Sequence, residues 1–175
     1  MTNISELYDF DAQDGVIVSR RFGLRSFVLG VKEWNLLIEE AYNKIGSAAE
    51  AILFGAGKLY GGSILEKEIE IMELNSESSL NLLCREATLA GWGKISIVQE
   101  TPEEYKVRAQ RCVFCSESGK TQHKKLGCFF LSGVISGFGE TLFHTNSIVM
   151  ETKCEKEYCE FAVKLGDKES QNNSS

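Results

Sequence analysis

The stretch that decides the fold runs from residue 127 to residue 165: GCFFLSGVISGFGETLFHTNSIVMETKCEKEYCEFAVKL. Its first half is apolar and small, with Leu131, Val134, Ile135 and Phe138 set among Ser132, Gly133, Ser136 and Gly137. A run of this kind reads as a buried helix over 128–143. At about 17 residues, and interrupted by two serines and Glu140, it is too short and polar for a membrane span. The second half changes period. Residues 147–154 and 158–164 alternate as strands do, and the short link Glu155, Lys156, Glu157 joins them as a hairpin.

Upstream, residues 94–99 and 105–115 alternate in the same way, separated by a turn at Glu100, Thr101 and Pro102. Helices come before them. Trp34, Leu37, Ile38, Ala41, Tyr42 and Ile45 follow the helical period over 33–45, and Gly46 stops it. Ser47 caps a second helix carrying Ala48, Ala51, Ile52, Gly55, Leu59 and Tyr60, with its end loosened at Gly61 and Gly62. Residues 64–74 fit a helical period loosely, either extending that helix or starting another. A third helix follows Ser76, with Leu80, Leu83, Ala87 and Ala90 on one side, and stops at Gly91, Trp92 and Gly93. Residues 16–31 read as two strands turning at Gly23. The order strands, helices, strands, helix, hairpin defines an α+β fold, an antiparallel sheet packed against a helical layer. One domain is expected over 1–165, with a disordered polar tail over 166–175.

The chain has 175 residues, 43% hydrophobic and 25% charged, enough for one core without a staple. Its net charge of −6 and pI near 5.1 leave no basic stripe for nucleic acid or an anionic membrane. The acidic N-terminus, MTNISELYDFDAQDG, lacks the pattern of a signal peptide, so a cytoplasmic location is expected. No dinucleotide loop of the G-x-G-x-x-G type follows a strand, and no nucleophile pairs with a base, so catalysis is not the first expectation.

Five of the six cysteines cluster late in the chain: Cys112, Cys115, Cys128, Cys154 and Cys159. In a reducing compartment such a set serves a metal, a thiol switch or plain core packing. Zinc takes four thiolates in a tetrahedron. If 105–115 is a strand, Cys112 and Cys115 point to opposite faces, and only one of them reaches a common ion. Cys115, at the strand's exit, then joins Cys128, Cys154 and Cys159 as the ligand set. Cys84, alone in the third helix, reads as core, and His123 and His144 are the only histidines available as replacement ligands.

Gly133 and Gly137 sit four apart beside Ser132 and Ser136, which strips one helix face of bulk. Either a neighbouring backbone packs there, or the space admits a small apolar ligand walled by Trp92, Tyr105, Phe114, Phe129, Phe130 and Phe138. No charged anchor stands out, so such a pocket would select by shape and apolarity.

Taken together, Gly91-Trp92-Gly93, the strand leading to Phe114, GCFFLSGVISGFGETLF and ETKCEKEYCEF resemble the 4-vinyl reductase domain family. These are predicted hydrocarbon-binding proteins, with a fold similar to the ligand-binding domains of heme nitric-oxide sensors and Golgi transport particle subunits. The resemblance spans roughly residues 16–165. It implies a zinc on Cys128, Cys154 and Cys159, with Cys115 in the place of the family's acidic ligand. It also implies a structural role for that zinc, a small hydrophobic or aromatic ligand and a homodimer. Other roles implied by the family are an enzyme or accessory of tetrapyrrole vinyl reduction, and a protein-assembly subunit.

Overall fold

In the computed structural model the structure describes residues 8–20, 23–72, 76–101, 104–114, 126–155 and 157–166. Strands β1 (Tyr8–Asp11), β2 (Val16–Ser19) and β3 (Arg25–Ser26) form a small antiparallel sheet. Helices α1 (Val31–Ile45), α2 (Ala48–Met72) and α3 (Ser76–Leu89) follow, then β4 (Lys94–Glu100) and β5 (Glu104–Gln110). Helix α4 (Leu126–Phe143) leads into the hairpin β6 (Ser147–Cys154) and β7 (Tyr158–Leu165). The last four strands form an antiparallel sheet in the order β4-β5-β7-β6, the α+β arrangement expected from the element order.

Residues 131–139 of α4 are buried without a break. A helix covered on every side must lie between two layers. On one side it packs on the sheet, where Tyr105, Val107, Phe161 and Val163 join Leu131, Ile135 and Phe138 in one core. On the other side lies α2. There a Cβ on Gly133 would collide with the carbonyl oxygen of Phe54, and one on Gly137 with that of Lys58. Reciprocally, Gly57 abuts the carbonyl of Phe130, and Gly61 that of Val134.

This seam decides between the two readings of residues 64–74 in favour of an extended second helix. Residues 48–72 form one helix of 25 residues that passes through Gly61 and Gly62 without ending. A glycine costs a helix about 1 kcal/mol relative to alanine, but close backbone packing against α4 outweighs that local preference. The strand read over 105–115 is also shorter than expected. It stops at Gln110 because Arg111 turns to φ 53°, which breaks the pleat and sends Cys112 and Phe114 inward. Of the expected tail, Gly166 is held, its N–H donating to the Asn146 carbonyl at 2.8 Å. Residues 167–175, like Cys115 and His123, lie outside the described residues. Among the described residues, no helix is long and apolar enough to cross a membrane.

Candidate metal centre and ligand cavity

Cys154 and Cys159 are cross-strand partners at the closed end of the β6–β7 hairpin, with their sulfurs 3.3 Å apart. Glu151 lies opposite Phe161, and the register shifts between Glu151 and Lys153. Residues three apart in a regular strand face opposite ways, but one extra residue in between restores them to one face. That bulge places the Glu151 carboxylate beside the two thiols. Cys128, buried near the start of α4, completes the group. One donor atom from each of Cys128, Glu151, Cys154 and Cys159 lies within 4.8 Å of all the others.

The donor set fits zinc. Four ligands at about 2.3 Å from one ion would stand about 3.8 Å apart in a tetrahedron, a small contraction of the observed spread. Glu151 Oε1 is buried with no hydrogen-bond partner among the described residues, a costly state that a cation would relieve. Burial, and then the neighbouring Cys159 and Glu151, push the Cys154 thiol up to about 12, so without a cation it is neutral near pH 7. Cys128, Cys154 and Cys159 are thus brought together as the sequence predicts, and the fourth donor of this group is Glu151. Its signal was the Glu151-x2-Cys154 spacing, obscured because the bulge is invisible in simple alternation. Cys84 and Cys112 are buried in the main core.

The six residues proposed as pocket walls, and the two glycines proposed to leave room beside them, separate into distinct places. Trp92, Phe114 and Phe130 meet in an aromatic group that also takes in Trp34 and Tyr60. Trp92–Phe114 and Trp34–Phe130 are edge-on, at 5.4 and 5.3 Å between ring centres. Phe129 packs with Ile38 and Leu53. Tyr105 and Phe138 belong to the core over the sheet, where Tyr105 Oη is buried without a hydrogen-bond partner among the described residues. Gly133 and Gly137 occupy the α2–α4 seam.

Trp92 is placed by a helix C-cap. Its N–H reaches back to the Ala87 carbonyl at 3.1 Å, and Gly91, at φ 83°, bonds to the Thr88 carbonyl. The indole thereby stands beside a cavity of 420 Å³ between the β1–β3 sheet, α2 and α3. Trp92, Tyr60 and Tyr8 supply aromatic wall, while Arg20, Arg25 and Arg85 stand around it. Unlike the pocket read from the sequence, this cavity has charged side chains in its lining, Arg20 and Arg25 around the β2–β3 turn and Arg85 on α3. Tyr60 and Tyr8 lie close together, and burial followed by that proximity raises the Tyr60 hydroxyl above its ordinary value of 10.0.

The architecture is the fold that the sequence resemblance implied. No family profile matches the chain. The chain aligns with the phenol-responsive sensory domain of the transcription activator PoxR, solved with phenol, at a TM-score of 0.75 and 14% identity, covering 93% of this chain and 87% of that one. A trafficking protein particle complex subunit 3 from Naegleria fowleri, covalently bound to palmitic acid, aligns at 0.61 and 14% identity, covering 78% and 93%. A vinyl-4-reductase family protein from Methanocaldococcus jannaschii aligns at 0.51 and 18%, covering 81% and 85%. H-NOX proteins share the fold as well. At these identities the likeness is one of fold. In sequence, an uncharacterized protein of Methanocaldococcus jannaschii, MJ1642, is 32% identical over 84 residues, 46% of this chain. The match spans only half the length of that relative.

Proposed function

We propose that this protein binds a small hydrophobic or aromatic molecule, and that a structural zinc on Cys128, Glu151, Cys154 and Cys159 stiffens the domain that does so. The observation that carries the reading is the 420 Å³ cavity with Trp92 and Tyr60 in its wall, within the usual size range for small-molecule sites. The fold's occurrence in a phenol-responsive sensory domain supports it. The zinc would have no open coordination position, so its role is to tie α4 to the β6–β7 hairpin rather than to activate water.

A homodimer belongs to the same reading. Phe27 and Val28, 80% and 78% exposed, and Leu59 on α2, 75% exposed, are apolar side chains that a second copy would cover. Native mass spectrometry of freshly purified protein tests the three elements together. The expected result is about one zinc per chain, a co-purified small molecule and a mass of two chains. A metal-free, ligand-free species that takes up neither zinc nor any aromatic compound would sink the proposal.

A further inference from the structure

The chain carries a net charge of −6, yet three arginines are among the residues that line its cavity. Arg20 follows β2, Arg25 lies in β3 and Arg85 in α3, and all three line the same 420 Å³ space. Arg20 is engaged by Asp9 at 2.7 Å. Arg25 and Arg85 have no ion-pair partner among the described residues, and Glu86 is the one carboxylate in the cavity lining. An anion bound in this space would meet both charges. Arginine's planar fork suits a carboxylate in particular, through two parallel hydrogen bonds. In the same lining, the Trp92 and Tyr60 rings lie 5.7 Å apart between centres, tilted by 38°, and Leu83, Ile64 and Val134 add apolar wall.

We propose that this cavity takes an aromatic carboxylate, its ring against Trp92 and Tyr60 and its carboxylate between Arg25 and Arg85. The inference rests on the small-molecule-binding reading above and narrows its ligand class. The aromatic wall alone would accept any flat apolar compound. The arginines make the choice, since a neutral analogue offers Arg25 and Arg85 no negative charge to receive their N–H groups.

Calorimetric titration of the intact, zinc-loaded chain with 2-naphthoate, the neutral 2-naphthalenemethanol and acetate tests it. The naphthoate is expected to bind at least tenfold tighter than the alcohol, and acetate far more weakly than either. Arg25→Gln and Arg85→Gln should each weaken naphthoate about tenfold, the size of one lost charge-assisted hydrogen bond, and leave the alcohol unchanged. Equal affinity for acid and alcohol, or naphthoate binding indifferent to both substitutions, would overturn the carboxylate assignment while leaving small-molecule binding intact. If neither bicyclic compound nor benzoate nor phenol binds, the cavity reading falls, and this inference with it.

Discussion

Helix α4 meets its two neighbours by opposite means. Toward α2 it presents no side chain at all at Gly133 and Gly137, and the carbonyls of Phe54 and Lys58 occupy the room. Toward the β6–β7 hairpin it presents a buried thiol, Cys128, among a carboxylate and two further thiols. The seam is held by shape and is complete once the chain folds. The clasp sets a buried carboxylate oxygen, Glu151 Oε1, without a hydrogen-bond partner among the described residues, beside thiols, one of which, Cys154, burial keeps protonated. One contact is therefore sensitive to added atoms, and the other, on the zinc proposal, to lost charge and to metal supply.

The largest effect is expected at the seam. Gly133→Ala or Gly137→Ala should lower unfolding free energy by about 3 kcal/mol, the upper range for overpacking, because the obstruction is backbone and cannot swing aside. Urea denaturation checks this, and a loss under 1 kcal/mol would show the helices able to part cheaply. Next comes removal of metal. If free zinc stands 100-fold above its dissociation constant, chelation should cost about 2.7 kcal/mol and lower the melting temperature reversibly. An unchanged melting curve would mean that the corner needs no ion.

A third test separates both contacts from the core between them. Burial pushes the Cys84 thiol from 9.0 to about 11, backbone hydrogen bonds partly opposing it. A folded value above the unfolded one stabilises below pH 9, and that contribution is lost as pH rises from 9 to 11, by about 2 kcal/mol. Cys84→Ala should flatten the pH dependence in that window, and identical slopes for both proteins would refute the link. Fourth, Glu151→Gln should weaken zinc about tenfold, or about 1.4 kcal/mol, while Cys115→Ser leaves affinity unchanged. The reverse pattern would restore Cys115 as the fourth ligand. The smallest effect is a gain. Nothing lies within 4 Å of a Cβ added at Gly55, so Gly55→Ala should stabilise α2 by up to about 1 kcal/mol.

Much of this was legible in the chain. Helical period located α1 and α3, and alternation located β4, β6 and β7, because each signal is local and repeats within a few residues. The three clasp cysteines were legible too, through spacing and family resemblance. Glu151 was not, since its side depends on one extra residue in a strand pair, and a slip of one residue reverses every face after it. The Gly61-Gly62 pair left open whether the second helix continued, and that was decided only once α4 lay against it.

By itself the sequence determined which segments are helix or strand, their order, and the chemistry available at the C-terminal hairpin, since those follow from propensity and periodicity along the chain. Only the tertiary structure decided that small residues on α2 and α4 face one another, that a bulge turns Glu151 toward three thiols, and that three arginines from separate elements share one cavity. Each of these brings in at least one residue far along the chain from the rest, as with Cys128 beside Glu151 or Arg85 in one cavity with Arg25, and packing and register set the approach, which no local pattern encodes.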